Sequence, residues 1–464
     1  MDHREAEKQI VTVAEAAAKI DPCHLMDHLV KALFFFVNRE VWRPKERLSR
    51  YTDYFAEALS GVSFPWVKMF KDAPLSTLID SPIFDSSSLA GSLSHIPQSV
   101  YRTALNWLEM PPVKLEDFSA FVLRAFDQIL VDLEAQQGGG DDSKSQVGMF
   151  VALAIVLRSK PQALTTVLPI LRENPKYQGH DKLPVTVWMM AQASPGDLCL
   201  GLYSWAHNLL PLVSVSSKKR CCIPQSMDLV LQFVEEILSR PRARTILVDG
   251  ALRESDPLIP VSSFEILVRL TFPAPSARVK STERVEAIYS LLKDVTLSPF
   301  MPGESNALKQ MFTFSLRSAR RGIVTGNPVL AEEATSIAIW CCVTESVDCF
   351  EHWDILYREN LEASVALLKR LLGQRRLFLR LSTSPSDSLT VNQTMESFRL
   401  KNKRAIAEGG ANCSLYREAD KYCTLISKSL SRGSGGFKLT PITAVVLAAA
   451  GAAAGAAAAL VVLA

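Results

Sequence analysis

Three groups of side chains have the types and spacing to do chemistry. His24 and His28 stand at i, i+4, while Cys342, Cys349 and His352 follow at intervals of seven and three. On a helix each set shares one face, where imidazole and thiolate ligands could converge on a transition metal. Two histidines lack a third ligand, however. Three ligands on one straight helix point in nearly parallel directions and cannot close a tetrahedron unaided. Cys341, Cys342 and Cys349, beside Ile337, Ile339 and Trp340, read more simply as small apolar core residues. The third group is Asp197 with His207, which could serve acid–base catalysis in a membrane-bound hydrolase or transferase. Neither residue falls in a recognised catalytic pattern. The sequence has no G-x-x-x-x-G-K-[ST], no G-x-G-x-x-G between strand and helix, no H-E-x-x-H and no G-x-S-x-G. No catalytic, cofactor-binding or metal-binding residue is expected, and the chain reads as non-enzymatic.

Asp197 and His207 belong to the most distinctive block of the sequence, LPVTVWMMAQASPGDLCLGLYSWAHNLLPL, from Leu183 to Leu212. It reads as two apolar helices hinged at Ser194, Pro195, Gly196 and Asp197. Pro195 suits a first helical turn, Ser194 can act as its N-cap, and Asp197 lies near the positive helix end. Trp188, Tyr203, Trp205 and His207 supply large surfaces, and buried Trp and Tyr need hydrogen-bond partners. The block is expected to be a core helical hairpin, with a groove for a partner protein as the alternative.

The elements that must position these residues are almost all helical. The chain has 464 residues, of which 48% are apolar and 21% charged, enough to bury a sizeable core. Phe118, Phe121, Val122, Ala125, Ile129, Leu130 and Leu133 follow the i, i+3/i+4, i+7 spacing of an amphipathic helix. Val147–Leu157 is apolar all round, yet too short to span a bilayer, and reads as a buried core helix. Further helices are expected over 23–40, 99–110, 160–174, 224–240, 263–272, 281–295, 305–323, 332–373 and 390–408. Proline and short polar breaks punctuate them without a fixed sequence period. The expected fold is all-α, an irregular α-solenoid of HEAT/ARM-like stacked helical hairpins with a C-terminal transmembrane helix; a compact all-α domain is the runner-up. The organisation read from the sequence is an N-terminal helix at 1–20, a helical body at 21–373, a basic juxtamembrane stalk at 374–440 and an anchor at 441–464. The serine-rich stretches 81–95 and 381–392 read as loops or linkers.

The anchor is ITAVVLAAAGAAAGAAAALVVLA, Ile442 to Ala464, which carries no charge. Its 23 residues would span roughly 35 Å as a helix, against a hydrocarbon core of about 30 Å. Alanine and glycine dilute it. The strongly apolar positions are Ile442, Val445, Val446 and Leu447 at one end and Leu460, Val461, Val462 and Leu463 at the other. A glycolipid-anchor signal at Ser434–Gly436 would need a longer spacer and a secretory leader. Lys428, Arg432 and Lys438 precede the span, so the positive-inside rule keeps the body cytosolic. Gly451 and Gly455 form a G-x-x-x-G on which two copies could pair as a homodimer. Nine cysteines, an odd number including two adjacent pairs, argue against a disulfide framework, and the first 20 residues show no apolar leader. Both observations suit a reducing compartment.

A net charge of +3 does not call for nucleic acid. The basic runs 369–380 and 399–404 could gain on the order of 1 kcal/mol per cation near an anionic leaflet. A solvated face neutralised by neighbouring acidic helices is the simpler reading, and RNA contact would want interleaved aromatics that are missing.

The pattern L-P-x-x-x-W-x-x-A-Q-A-S-x-G-D-L-x-x-G-L-Y-x-W-A-H-x-L-L-P, over 183–211, resembles the transmembrane protein 214 family, in its plant-like branch. The preceding segment 147–184 is similar as well, and the resemblance extends from about residue 32 onward. It implies an integral endoplasmic-reticulum membrane protein with a helical cytosolic region and no assigned catalytic residues. Animal members are associated with death signalling under endoplasmic-reticulum stress through an anchored caspase. This chain departs from the longer family members, which carry a basic, low-complexity N-terminal region and in some cases two spans. The combined expectation is a non-enzymatic scaffold, anchored in the endoplasmic-reticulum membrane, that recruits a cytosolic protein. The alternatives are a trafficking adaptor on Golgi or plasma membrane and the membrane-bound enzyme above.

Overall fold

The computed structural model describes residues 13–37, 44–62, 96–110, 113–137, 147–213, 224–253, 256–298, 305–374, 377–378, 381 and 383–432. These residues form helices and turns and no strand, so the fold is all-α. The chain divides into two compact units. Met1–Leu267 with Val279–Pro299 makes the first, and Val268–Arg278 with Phe300–Ala464 makes the second.

The first unit contains α1 (Val13–Ala17), α2 (Pro22–Val37), α3 (Pro44–Ala58), α4 (Gln98–Glu109), α5 (Leu115–Gln137), α6 (Val147–Ser159), α7 (Leu168–Glu173), α8 (Leu183–Ala193), α9 (Leu198–Ser204), α10 (Pro224–Ser239) and α11 (Ala243–Ala251). The chain then continues into α12 (Val261–Thr271) and α13 (Lys280–Leu297). At the centre lies α6, whose residues Val147–Gly148 and Phe150–Leu157 are all buried. It packs against α3, α4, α5 and α8. An all-round apolar surface forces this position, because every side of the helix must leave water. Gly148 makes the closest approach. The space a Cβ would need there is filled by the α3 backbone at Phe55 and Ala56. Among the described residues no single helix is long and apolar enough to cross a membrane. The chain bends by 110° between Val147–Ser159 and Pro161–Glu173, which together have the composition of a span.

The second unit contains α14 (Ser305–Val324), α15 (Pro328–Thr344), α16 (Ser346–Leu356), α17 (Leu361–Leu371), α18 (Pro385–Glu408) and α19 (Cys413–Arg432). Helices adjacent in sequence pair as α14 with α15 and α18 with α19, and α17 packs on both α14 and α19. Local chemistry sets the boundaries. Asn327 caps α15 by accepting the Leu330 N–H at 3.1 Å, and Pro328 occupies the first turn. The Asn327 side-chain amide also donates to the Phe272 and Pro273 carbonyls, at 3.1 and 3.0 Å. Gly409 ends α18 in the left-handed region at φ 74°, where glycine carries no Cβ penalty. The core is aromatic. Trp353 meets Phe398 edge-on at 5.2 Å, and Tyr357 stacks on Phe398 at 3.9 Å.

Several boundaries differ from the sequence reading. The helix expected over 160–174 is broken: Pro161 starts a 3-10 turn to Leu164 before α7 begins at Leu168. The long helix expected over 332–373 is three helices, interrupted where Glu345 turns extended and at Asn360. The segment 381–392, expected as a loop, is mostly α18, since Pro385 is well placed in a first helical turn. The basic stalk expected at 374–440 contains α18 and α19, which bury Met395, Phe398, Ala419, Cys423 and Ile426 within the second unit. Residues 1–12, the serine-rich stretch 81–95 and the whole anchor Ile442–Ala464, with Gly451 and Gly455, lie outside the described residues.

Candidate functional site

The block 183–213 folds as α8, a short turn and α9, which continues as a π-helix over Trp205–Leu209 and a 3-10 turn over Leu210–Val213. Trp188 is buried on α8 and meets Phe150 of the core helix edge-on, with ring centroids 4.9 Å apart. Ser194 ends α8 in right-handed helical geometry, and Pro195–Gly196 forms the turn. The expected N-cap assignment is corrected here. Asp197, extended at φ −154° and ψ 102°, caps α9 by accepting the Leu200 N–H at 3.0 Å. Ser194 lacks the non-helical backbone that a cap requires, and its hydroxyl bonds back to the Ala191 carbonyl at 3.4 Å.

The π-helix explains how the second half of the hairpin is held. A single π turn releases backbone groups from the regular i→i+4 ladder, and these need other partners. The Ser263 hydroxyl donates to the Ala206 carbonyl at 2.6 Å. Trp205, fully buried, donates its indole N–H to the Val230 carbonyl of α10 at 3.0 Å. Asn208 donates to the Leu168 carbonyl at 2.8 Å. On the half-buried side Tyr203 and His207 stack with centroids 3.8 Å apart and planes within 19°. His207 Nε2 donates to the Pro257 carbonyl at 3.0 Å. Burial lowers the His207 pKa, the bond to Pro257 opposes that, Arg172 lowers it further and Asp256 raises it. Burial likewise raises Tyr203, with Asp256 adding to the effect.

Asp197 and His207 are not brought together. Asp197 caps the start of a continuous helical stretch and His207 lies within its π-helical part, about 15 Å further along the axis at ~1.5 Å per residue. One is spent on a helix cap and the other on a backbone carbonyl. Sequence reasoning missed Asn208 and Ser263, the two side chains that secure the π turn. An asparagine inside an apolar helical run was the available signal.

The metal-spaced sets are also occupied by packing. His24 Nδ1 shares a hydrogen bond with the Tyr54 hydroxyl at 3.4 Å, and the His28 ring lies 5.2 Å from the Tyr54 ring. Cys341, Cys342 and Cys349 are free thiols with no exposed surface. Burial pushes Cys341 and Cys342 well up, and pushes Cys349 up to about 12 with Glu345 and Asp348 assisting, so all three stay protonated near neutrality. His352 shares a hydrogen bond with the Thr313 hydroxyl at 2.8 Å. Among the described residues no group of three or more His, Cys, Asp or Glu side chains is placed to hold a metal ion.

The basic runs pair with acids in the second unit. Arg370 meets Glu332 at 4.0 Å, Arg399 meets Asp420 at 3.4 Å and Lys401 meets Asp354 at 2.8 Å. These partly exposed pairs contribute little each, of order 0–1 kcal/mol, but they match the reading of a neutralised surface. No family model, curated protein or solved structure matches this chain.

Proposed function

We propose that this chain is a membrane-anchored scaffold whose helical body recruits a cytosolic protein. The observation that carries the reading is the fate of the polar groups in the 183–213 block. Asp197 caps α9 from within the block, while Trp205, His207 and Asn208 tie it to the Val230, Pro257 and Leu168 carbonyls outside it, so each of these polar groups ends on backbone and serves packing. A shape-bearing hairpin suits a protein that works by presenting surfaces. The pairing of helices adjacent in sequence, α14 with α15 and α18 with α19, supports an irregular α-solenoid. Attachment rests on the charge-free segment Ile442–Ala464, oriented by Lys428, Arg432 and Lys438 and pairing through Gly451 and Gly455. The resemblance to the transmembrane protein 214 family favours the endoplasmic reticulum over Golgi or plasma membrane, and stress or death signalling as the context.

Proximity labelling from a ligase fused to the N-terminus tests the reading. It should enrich endoplasmic-reticulum membrane proteins and one recurrent set of cytosolic ones, and that set should survive Asp197→Asn and His207→Ala. A substrate turnover abolished by His207→Ala in a chain that still folds would replace the scaffold with an enzyme.

A further inference from the structure

The hairpin of α14 and α15 ends in an apolar tip. Ile323 and Val324 close α14, Val329 opens α15, and the three are 39%, 65% and 58% exposed. The turn between them is tightly built. Asn327 donates its backbone N–H to the Gly322 carbonyl at 2.8 Å, and Gly326 turns in the left-handed region at φ 68°. Gly322 lies against the Ala331 backbone with no room for a Cβ. The two helices are thereby pinned together at this end, and the branched side chains stay in water. Exposed apolar residues are ordinary when scattered singly; three at one hairpin tip mark a contact surface.

The same end of the hairpin is basic. Arg320 and Arg321 precede the tip, and Arg320 meets Glu362 of α17 at 3.4 Å. Arg370 of α17 reaches the other helix, donating to the Glu332 carbonyl at 3.2 Å, with Lys369 beside it in sequence. The Asn327 amide bonds to Phe272 and Pro273 bring in the segment Val268–Arg278, which adds Arg269 and Arg278 and no acid. Glu332 and Glu362 are each met by one of these arginines, and Glu333 is the further acid of this end. Arg321 and Lys369 are exposed and enter no ion pair among the described residues. Cations therefore outnumber carboxylates around the tip. This unit also leads the chain to its charge-free end. Helix α19 packs on α17, and at most ~35 Å of extended chain separates Arg432 from Ile442.

We infer that the tip of the α14–α15 hairpin is a second membrane contact, with Ile323, Val324 and Val329 entering the interface of an anionic leaflet and Arg321 and Lys369 facing its headgroups. Apolar burial at the acyl boundary and attraction to anionic lipid then act together. The turn offers branched aliphatics and no aromatic anchor, which suits a fluid apolar phase better than the shaped pockets of a protein interface. The inference rests on the membrane-attached reading of Ile442–Ala464, and its test separates the two.

The full-length chain is reconstituted in phosphatidylcholine vesicles containing about one quarter phosphatidylserine. An environment-sensitive fluorescent amino acid replaces Val324 or, as the control, the exposed Gln310, about 20 Å away along α14. Doxyl-labelled lipid should quench the label at position 324 and spare the one at 310, and the quenching should weaken without phosphatidylserine. Arg321→Gln should lower the ratio of inserted to free tip about fivefold. Val329→Asp should abolish insertion, and both variants should keep the parental circular dichroism. Flotation on a density gradient reports attachment separately. A chain that floats with the 324 label unquenched overturns the tip contact and leaves the anchor standing. Flotation that disappears with Val329→Asp upholds the tip and overturns the anchor. Emission at 324 that ignores lipid but shifts on adding cytosolic extract assigns the tip to a protein and overturns the inference.

Discussion

Gly196 lies against the backbone carbonyl of Arg158, with no space between them for a methyl group. The turn between α8 and α9 is thereby docked on the end of the buried core helix. Gly196→Ala must push the two backbones apart, which should cost about 1–3 kcal/mol, as overpacking does elsewhere. Urea unfolding of the variant would show it as a lowered midpoint; a parental midpoint would contradict the close approach.

Asp197, and not Ser194, carries the cap of α9. Asp197→Ala should destabilise the protein by about 0.5–2 kcal/mol, while Asp197→Asn should stay within a few tenths. Ser194→Ala should be milder than Asp197→Ala. Chemical denaturation of the three variants side by side distinguishes the cap from the turn.

His207 should make stability depend on pH in one direction. Its folded pKa is lowered, chiefly by burial, so the unfolded chain binds the proton more readily. Its contribution is fully present above the unfolded value of about 6.5 and is lost as pH falls through the lowered folded value. His207→Asn should flatten that part of the stability profile. An unchanged slope between pH 7 and 5 would show that His207 ionises freely in the fold.

The buried thiols should be chemically silent. Cys341, Cys342 and Cys349 are protonated and inaccessible in the native state, whereas exposed Cys23 is open to reagents. Mass spectrometry after native iodoacetamide treatment should find Cys23 modified and these three intact until denaturant is added. Rapid native labelling of Cys342 would argue for a reactive or metal-binding cluster.

The helical class was legible because periodic apolar spacing, as in Phe118–Leu133, survives in almost any packing. The core position of α6 followed from its all-round apolar surface. Breaks inside long apolar runs were harder. Glu345 and Asn360 interrupt 332–373 without a glycine or proline to mark them, since tertiary packing decides where such a run bends. The segment around Pro385 looked like a linker because serine and proline also favour helix starts. At the hairpin, residue types identified Trp188, Asp197, Trp205 and His207 but not their partners. Val230, Pro257 and Leu168 act through backbone carbonyls, which leave no trace in side-chain identity. The residue types pointed to Ser194 as the cap and placed Asp197 only near the positive helix end; the backbone angles show that Asp197 is the cap.

Attachment through Ile442–Ala464 is the central claim, and alkaline carbonate extraction tests it most directly. The full-length chain should remain with the membrane pellet. A chain ending before Thr440 should move to the soluble fraction while keeping its helical circular dichroism. Carbonate-resistant membrane association of the truncated chain would contradict the account.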